Sequence, residues 1–339
     1  MHRSELTIDL AALRHNVRAL LRSLAGSELW AVVKADGYGH GALEAGKAAL
    51  ETGATVLCVA TVAEALPLRA AVPHARLLVL GPAQDGDVSE AREARLELVV
   101  PDGAVPDGVP VHLKLDTGMG RWGLGELPEP PARVVGLMSH LASADCDPAF
   151  TALQTERFRK ATAPYAHLTR HLANSAGILR HPDARFDAGR AGIALYGLSP
   201  FGEDPAADGL RPVLAWRSYV AQVKLLAPGE STGYGRRFVA RQPTRIGIVP
   251  VGYADGFRRA LSGTAVLVEG ERAEVLGTIS MDAFAVRLPE GAACGSPVTM
   301  IGDGLGAEEH ARVAGTINYE LVTGIVSSAS RARRVVVGA

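Results

Sequence analysis

The chain has 339 residues, 47% hydrophobic and 21% charged, an ordinary soluble composition with room for one large barrel and a second domain. Its 35 Lys and Arg stand against 36 Asp and Glu, a net charge of -1 that gives no electrostatic basis for binding nucleic acid or a membrane surface. The opening MHRSELTIDL has no signal-peptide core, no apolar stretch is long enough to span a bilayer, and Cys58, Cys146 and Cys294 are odd in number and scattered. That pattern suits a reducing cytoplasm better than a disulfide or zinc framework.

In chain order, residues 5–8 predict a short strand, and Asp9 predicts the cap of a helix whose leucines and Val17 recur at helical spacing until Gly26. Apolar runs near residues 29–34, 55–60, 76–80, 97–100, 111–115, 133–138, 167–172 and 193–196 predict eight strands. The segments ALEAGKAALE, VAEALPLRAAV, GDVSEAREARL and ALQTERFRKATA predict helices between several of them, and the alternation predicts a parallel α/β barrel. PDGAVPDGVP and GLGELPEPPA hold too much proline and glycine for full helices, so the barrel is expected to have reduced or missing helices there. Beyond about residue 212, WRSYVAQVKLL, TRIGIVPVG, TAVLVEG, RAEVLGTI, AFAVRL and PVTMIG predict an all-β domain. The expected division is therefore a barrel over 1–211 and a β-strand domain over 212–339, with GEDPAADG at 202–209 as the linker.

Lys34 ends the apolar run Leu29–Val33, at the strand end where barrels and open α/β sheets carry their active sites. Partial desolvation there lowers an amine's pKa and makes it a candidate for a Schiff base, with a solvated strand cap as the other reading. Glycines 37, 39 and 41 leave backbone amides bare around Tyr38. In KLDTGMGRWG, Lys114, Asp116 and Arg121 follow another strand, and Arg121 offers a planar fork suited to a carboxylate, although a surface turn with an ion pair would read the same way. His140 ends a further strand, and HLANSAG and GRAGIALYG bring small residues to two more strand ends.

Three other matches are set aside. GALEAGK lacks the Ser or Thr of a phosphate-binding P-loop, because Ala48 stands there. GMGRWG leads into a proline-rich loop and not a helix, and His167 and His171 lie in a strand-like segment without a third metal ligand. No metal site is expected.

Taken together, AVVKADGYGHG, HLKLDTGMGRWG, HLANSAG, GRAGIALYG, GYG at 233–235, VGYADG at 251–256, SMD at 280–282 and INYE at 317–320 resemble alanine racemases of the pyridoxal-phosphate fold type III family. The resemblance implies an eight-stranded α/β barrel followed by a β domain, in a head-to-tail homodimer whose active sites are completed across the interface. It implies pyridoxal 5'-phosphate bound through Lys34, which would also serve as one base, and Tyr234 of the other subunit as the second base. Tyr38, Ser175, Gly192, Ile193 and Tyr319 would bind the phosphate, Arg190 would face the pyridine nitrogen, and His140 would lie against the ring. Arg121 would contact the cofactor phenolic oxygen and the substrate carboxylate, positioned by a Lys114 that is carbamylated in many members. Met281 would present its amide to the carboxylate, Tyr253 would narrow the entrance, and Asp282 would support the site.

Removing a proton from one face of the α-carbon and returning it on the other is simplest with two bases on opposite sides. The implied function is interconversion of L- and D-alanine, supplying D-alanine for peptidoglycan in a bacterial cytoplasm. A broader amino-acid or serine racemase, a non-catalytic pyridoxal-phosphate carrier and a fold type III decarboxylase are the alternatives, and the β domain with GYG argues against the carrier. One departure from the family pattern is Thr278, which stands where arginine is frequent near the entrance.

Overall fold

A computed structural model describes residues 2–302 and 304–338. The chain forms two compact units, Ala12–Arg211 and a discontinuous one made of Met1–Ala11 with Pro212–Ala339. The first strand, β1 (Glu5–Asp9), belongs to the second unit, because it pairs antiparallel with Leu214–Tyr219 and parallel with Arg333–Val337. A barrel domain that starts at residue 1 is thus corrected: two ladders of hydrogen bonds tie residues 5–9 to the later sheet.

In the Ala12–Arg211 unit the strands are β2 (Glu28–Val32), β3 (Val56–Val59), β4 (Arg76–Val79), β5 (Glu97–Val100), β6 (Val111–Lys114), β7 (Val134–Met138), β8 (Thr169–His171) and β9 (Ala188–Ala191). Each pairs in parallel with the next, and β9 pairs back onto β2, closing an eight-stranded barrel. Such strands are covered on both faces, which is why they read as continuous apolar runs. Trp30, Val32, Val56, Cys58, Leu78, Val99 and Met138 form one buried cluster among them.

The expected eighth strand at 193–196 is a 3-10 helix, and the strand lies earlier, at Ala188–Ala191. Ile193–Tyr196 is apolar because it is fully buried, whereas Ala-Gly-Arg-Ala carries little strand propensity and is held by its neighbours in the barrel.

Helices Ala42–Thr52, Val62–Ala71, Asp85–Glu93 and Pro148–Thr162 lie where their sequences predict them. Among the described residues, the β5–β6 and β6–β7 connections contain no helix, as their proline and glycine content foretells. Asp9 caps the helix Leu10–Leu24 by accepting from the Ala11 amide at 2.8 Å.

The other unit is built on a nine-stranded sheet that includes β1, Thr244–Val249, Ala265–Val268, Glu271–Leu276, Phe284–Arg287 and Pro297–Ile301. Two short helices, Ala307–Ala314 and Asn318–Thr323, precede its last strand. Among the described residues no helix is long and apolar enough to cross a membrane.

Candidate active site

Lys34 follows β2, and Val33 is tied to β3 by a 2.8 Å bond from its amide to the Cys58 carbonyl. The next four residues all take left-handed backbone angles, with φ of 52° at Ala35, 49° at Asp36, 62° at Gly37 and 55° at Tyr38. For a residue with a Cβ this conformation costs roughly 1–2 kcal/mol. The strain sits directly behind the lysine and is held by specific bonds, the pattern expected of a functional turn. Glu64 supplies two of them, accepting the Ala35 amide at 2.9 Å and the Ala60 amide at 2.7 Å. Asp36 supplies another by accepting the Ala42 amide at 3.0 Å. Burial, then the positive charge of Arg121, lowers the Lys34 pKa from its ordinary value, with Glu64 opposing.

Beside this turn, at the ends of β8 and β9, the Ser175 hydroxyl accepts from the amides of Gly192 at 3.0 Å and Ala194 at 3.3 Å. A Cβ on Gly192 would fall 2.5 Å from the Tyr38 hydroxyl oxygen, so the glycine lets three elements converge. Hydroxyls and backbone amides grouped in this way suit a phosphate dianion, and an amine of lowered pKa suits an aldehyde. The barrel residues therefore fit a phosphorylated carbonyl cofactor. Ile193 is fully buried next to Gly192.

Arg190, on β9, is buried and donates to the carbonyls of Ser139, His171 and Leu172 at 2.8, 2.9 and 3.2 Å. It also reaches Nδ1 of His171 at 2.9 Å and Nδ1 of His140 at 3.1 Å. Burial holds its pKa down at about 10, and burial together with Arg190 pushes His140 and His171 well below the usual imidazole value.

Lys114 ends β6, buried, with its ammonium 5.4 Å from the Trp122 ring centroid. Its pKa is lowered to about 8 by burial and then by Arg121. Asp116 shapes the loop that follows, accepting the amides of Gly118, Met119 and Gly120. Arg121 is exposed and stacks over Trp122 at 5.4 Å.

The remaining sequence-predicted residues lie in the second unit. Tyr234 is 73% exposed on a tight turn, and Tyr253 and Met281 are exposed as well. The loops bearing the last two are paired through Tyr253 N to Ser280 O at 3.1 Å and Ala254 N to Met281 O at 3.0 Å. Asp255 anchors them: its buried carboxylate accepts two bonds from Arg3 and pairs with Arg331, which also binds Asp282 at 2.8 Å. Tyr319 is half-buried in the helix Asn318–Thr323. The barrel thus brings together Lys34, Tyr38, Lys114, Arg121, His140, Ser175, Arg190, Gly192 and Ile193, while Tyr234, Tyr253, Met281, Asp282 and Tyr319 belong to the other unit.

A family model for the alanine racemase N-terminal domain matches residues 8–200, and one for the alanine racemase C-terminal domain matches residues 213–335. The chain belongs to the alanine racemase family. An alanine racemase of Streptomyces coelicolor is 43% identical over 377 residues, covering 97% of this chain and 95% of its own. One of Symbiobacterium thermophilum is 40% identical, covering 94% and 93%. Among solved structures, the alanine racemase of a D-cycloserine-producing Streptomyces lavendulae superposes with a TM-score of 0.92 at 36% identity, covering 100% of this chain and 98% of that one. That of Bacillus anthracis, solved with bound L-Ala-P, gives 0.87 at 32% identity, covering 100% and 96%. The enzyme class is amino-acid racemisation.

Sequence reading leaves out two features of this family member. Glu64 is one, visible only as the acid three residues after Thr61 in a helix start, a pattern that ordinarily signals capping alone. The other is the linkage among Glu97, His112 and His171: the first two stand in the apolar strands β5 and β6, and His171, already read as a strand histidine, ends the polar strand β8. A histidine in such a strand is the available signal, but which strands are neighbours, and hence which partner it meets, depends on barrel closure.

Proposed function

We propose that the enzyme interconverts L- and D-alanine with pyridoxal 5'-phosphate, using Lys34 as the base on one face of the α-carbon and Tyr234 of a second copy on the other. The observation that carries this reading is the lowered pKa of Lys34 on its strained turn, beside the Ser175–Gly192 cradle. Pyridoxal phosphate, when bound, supplies an electron sink that acidifies the α-hydrogen.

The chain's residues would do the rest. Tyr38, Ser175, Tyr319 and the backbone at Gly192 and Ile193 hold the phosphate. Lys34 Nζ removes or returns the α-proton, helped by a pKa closer to neutrality than that of a free lysine. Arg190 faces the ring nitrogen as a donor that does not surrender its proton, which keeps the ring from becoming strongly electron-withdrawing and so disfavours transamination. His140 packs against the ring.

Arg121 grips the substrate carboxylate and the cofactor phenolic oxygen through its fork. Lys114, with its amine pKa at about 8, has a neutral fraction able to take up carbon dioxide, and a carbamate there would fix Arg121. Met281 offers its amide to the carboxylate, Tyr253 narrows the entrance and Asp282 supports it. The exposure of Tyr234, Tyr253 and Met281 in one chain supports a head-to-tail homodimer in which these residues complete the partner's site. On this reading the barrel binds the cofactor, the second unit supplies the opposing base, and the cytoplasmic product feeds peptidoglycan synthesis.

The test is a panel of L-amino acids incubated with enzyme and added cofactor, with D-amino-acid oxidase reporting the product. Alanine is expected to give the highest kcat/KM. Comparable turnover of serine would replace alanine specificity with broad specificity, and carbon dioxide release from lysine, ornithine or arginine would replace racemisation with decarboxylation.

A further inference from the structure

We propose that Glu97 is a positioning residue for Arg190, acting through His112 and His171 along a directed chain of hydrogen bonds inside the barrel. The proposal rests on the reading of Arg190 as the group that faces the cofactor's ring nitrogen.

The direction of the chain follows from Arg190, which can only donate. Its bond to His171 Nδ1, at 2.9 Å, requires a lone pair there, so the His171 proton sits on Nε2. That nitrogen lies 2.9 Å from Nδ1 of His112, which must therefore accept, leaving the His112 proton on its own Nε2. His112 Nε2 lies 3.0 Å from Oε2 of Glu97 and donates to it. Arg76 holds the carboxylate from the far side with two bonds, at 2.8 and 3.0 Å. Every link runs from the guanidinium to the carboxylate. A second proton on His171 would aim an N–H at Arg190, and one on His112 would aim an N–H at His171, so both imidazoles are locked neutral.

The packing is built for this chain. Both histidines are fully buried, with Trp30 against each ring at centroid distances of 5.7 and 4.4 Å. A Cβ on Gly136 would fall 2.1 Å from His112 Nδ1, so β7 carries a glycine where the imidazole needs room. Among the described residues, the acceptors of Arg190 are neutral: carbonyls and ring nitrogens. Glu97 is the carboxylate to which its hydrogen bonds lead. Its removal frees His112 and then His171 to rotate or change tautomer, and the guanidinium loses one of its fixed acceptors.

The experiment is nitrogen-15 NMR of the histidine side chains, with steady-state kinetics, on the holoenzyme and on Glu97→Leu and Glu97→Gln. In the wild type His112 and His171 are expected as neutral imidazoles protonated on Nε2 at neutral pH. Glu97→Leu is expected to mix the tautomers of His171, which Glu97 does not touch, and to lower kcat roughly tenfold, the scale of loss when a carboxylate behind a functional histidine is removed. KM for alanine is expected to stay unchanged. Glu97→Gln, which keeps an acceptor oxygen, restores both the His171 signal and most of kcat.

Either histidine found as an imidazolium or protonated on Nδ1 in the wild type overturns the chain, whether or not Glu97→Leu folds. A folded Glu97→Leu with wild-type His171 signals and kcat overturns the positioning role. Because the imidazole signals are read without turnover, intact tautomers in a protein that does not racemise alanine would refute the racemase reading alone.

Discussion

The Thr278 hydroxyl donates a 2.9 Å hydrogen bond to the backbone carbonyl of Tyr234. The two segments are also packed tightly, since a Cβ on Gly233 would fall 2.8 Å from the Thr278 nitrogen. Thr278 thus braces the turn bearing the proposed second base. Thr278→Val keeps the shape and removes the bond, and is expected to cost about 1 kcal/mol of stability. It is also expected to lower kcat for both enantiomers alike, with Thr278→Ser retaining activity. Urea unfolding together with racemisation rates checks this; a valine variant equal to wild type in both would show that the bond is idle.

Gly192→Ala places a methyl 2.5 Å from the Tyr38 hydroxyl oxygen in the unrelaxed structure, so Tyr38 must move out of the cradle. Cofactor affinity is expected to fall at least about tenfold, equivalent to about 1.4 kcal/mol. Titration of the apoenzyme with pyridoxal phosphate, followed by absorbance, measures it. Unchanged affinity would remove the cradle from the binding site.

The buried ionisable groups set an acid limit on stability. His112, His140 and His171 have folded pKa values below the ordinary 6.5, so the unfolded chain binds more protons than the folded one and stability falls as the pH drops below 6.5. Burial pushes the Glu97 carboxyl up, but hydrogen bonds from His112 and Arg76 outweigh it and hold the pKa at about 2 against an ordinary 4.5. Its contribution, on the order of 3 kcal/mol, is present above pH 4.5 and is lost as the pH falls toward about 2. The stability difference between wild type and Glu97→Gln should therefore shrink across that window in denaturant unfolding. A difference independent of pH would contradict the assignment.

Much of the barrel was legible because strands buried on both faces leave continuous apolar runs, and the candidate site could be proposed because Lys34, Lys114 and His140 stand at the ends of such runs. Ala188–Ala191 was not, since a strand of small residues and one arginine has no apolar signature and is fixed only by its neighbours. The pairing of residues 5–9 with the later sheet was equally hidden, being a contact across more than two hundred residues. The left-handed turn behind Lys34 carries glycine at only one of its four positions, so composition alone could not reveal it.

Tyr234→Phe addresses the opposing base. Enantiomers have an equilibrium constant near ~1, so both directions must lose kcat/KM equally whichever base is removed. The asymmetry belongs to solvent-deuterium exchange at the α-carbon, where one enantiomer is expected to retain exchange through Lys34 while the other loses it. Equal exchange defects for both enantiomers would refute separate roles for the two bases.

The most direct measurement is D-alanine formation from L-alanine by the purified protein with added pyridoxal phosphate, compared with Lys34→Ala. Wild type is expected to convert L-alanine until the two enantiomers are equal, and Lys34→Ala to form no D-alanine while remaining folded. A wild-type protein that leaves L-alanine unchanged, or a lysine variant that still racemises it, would contradict the assignment of Lys34 as cofactor anchor and base.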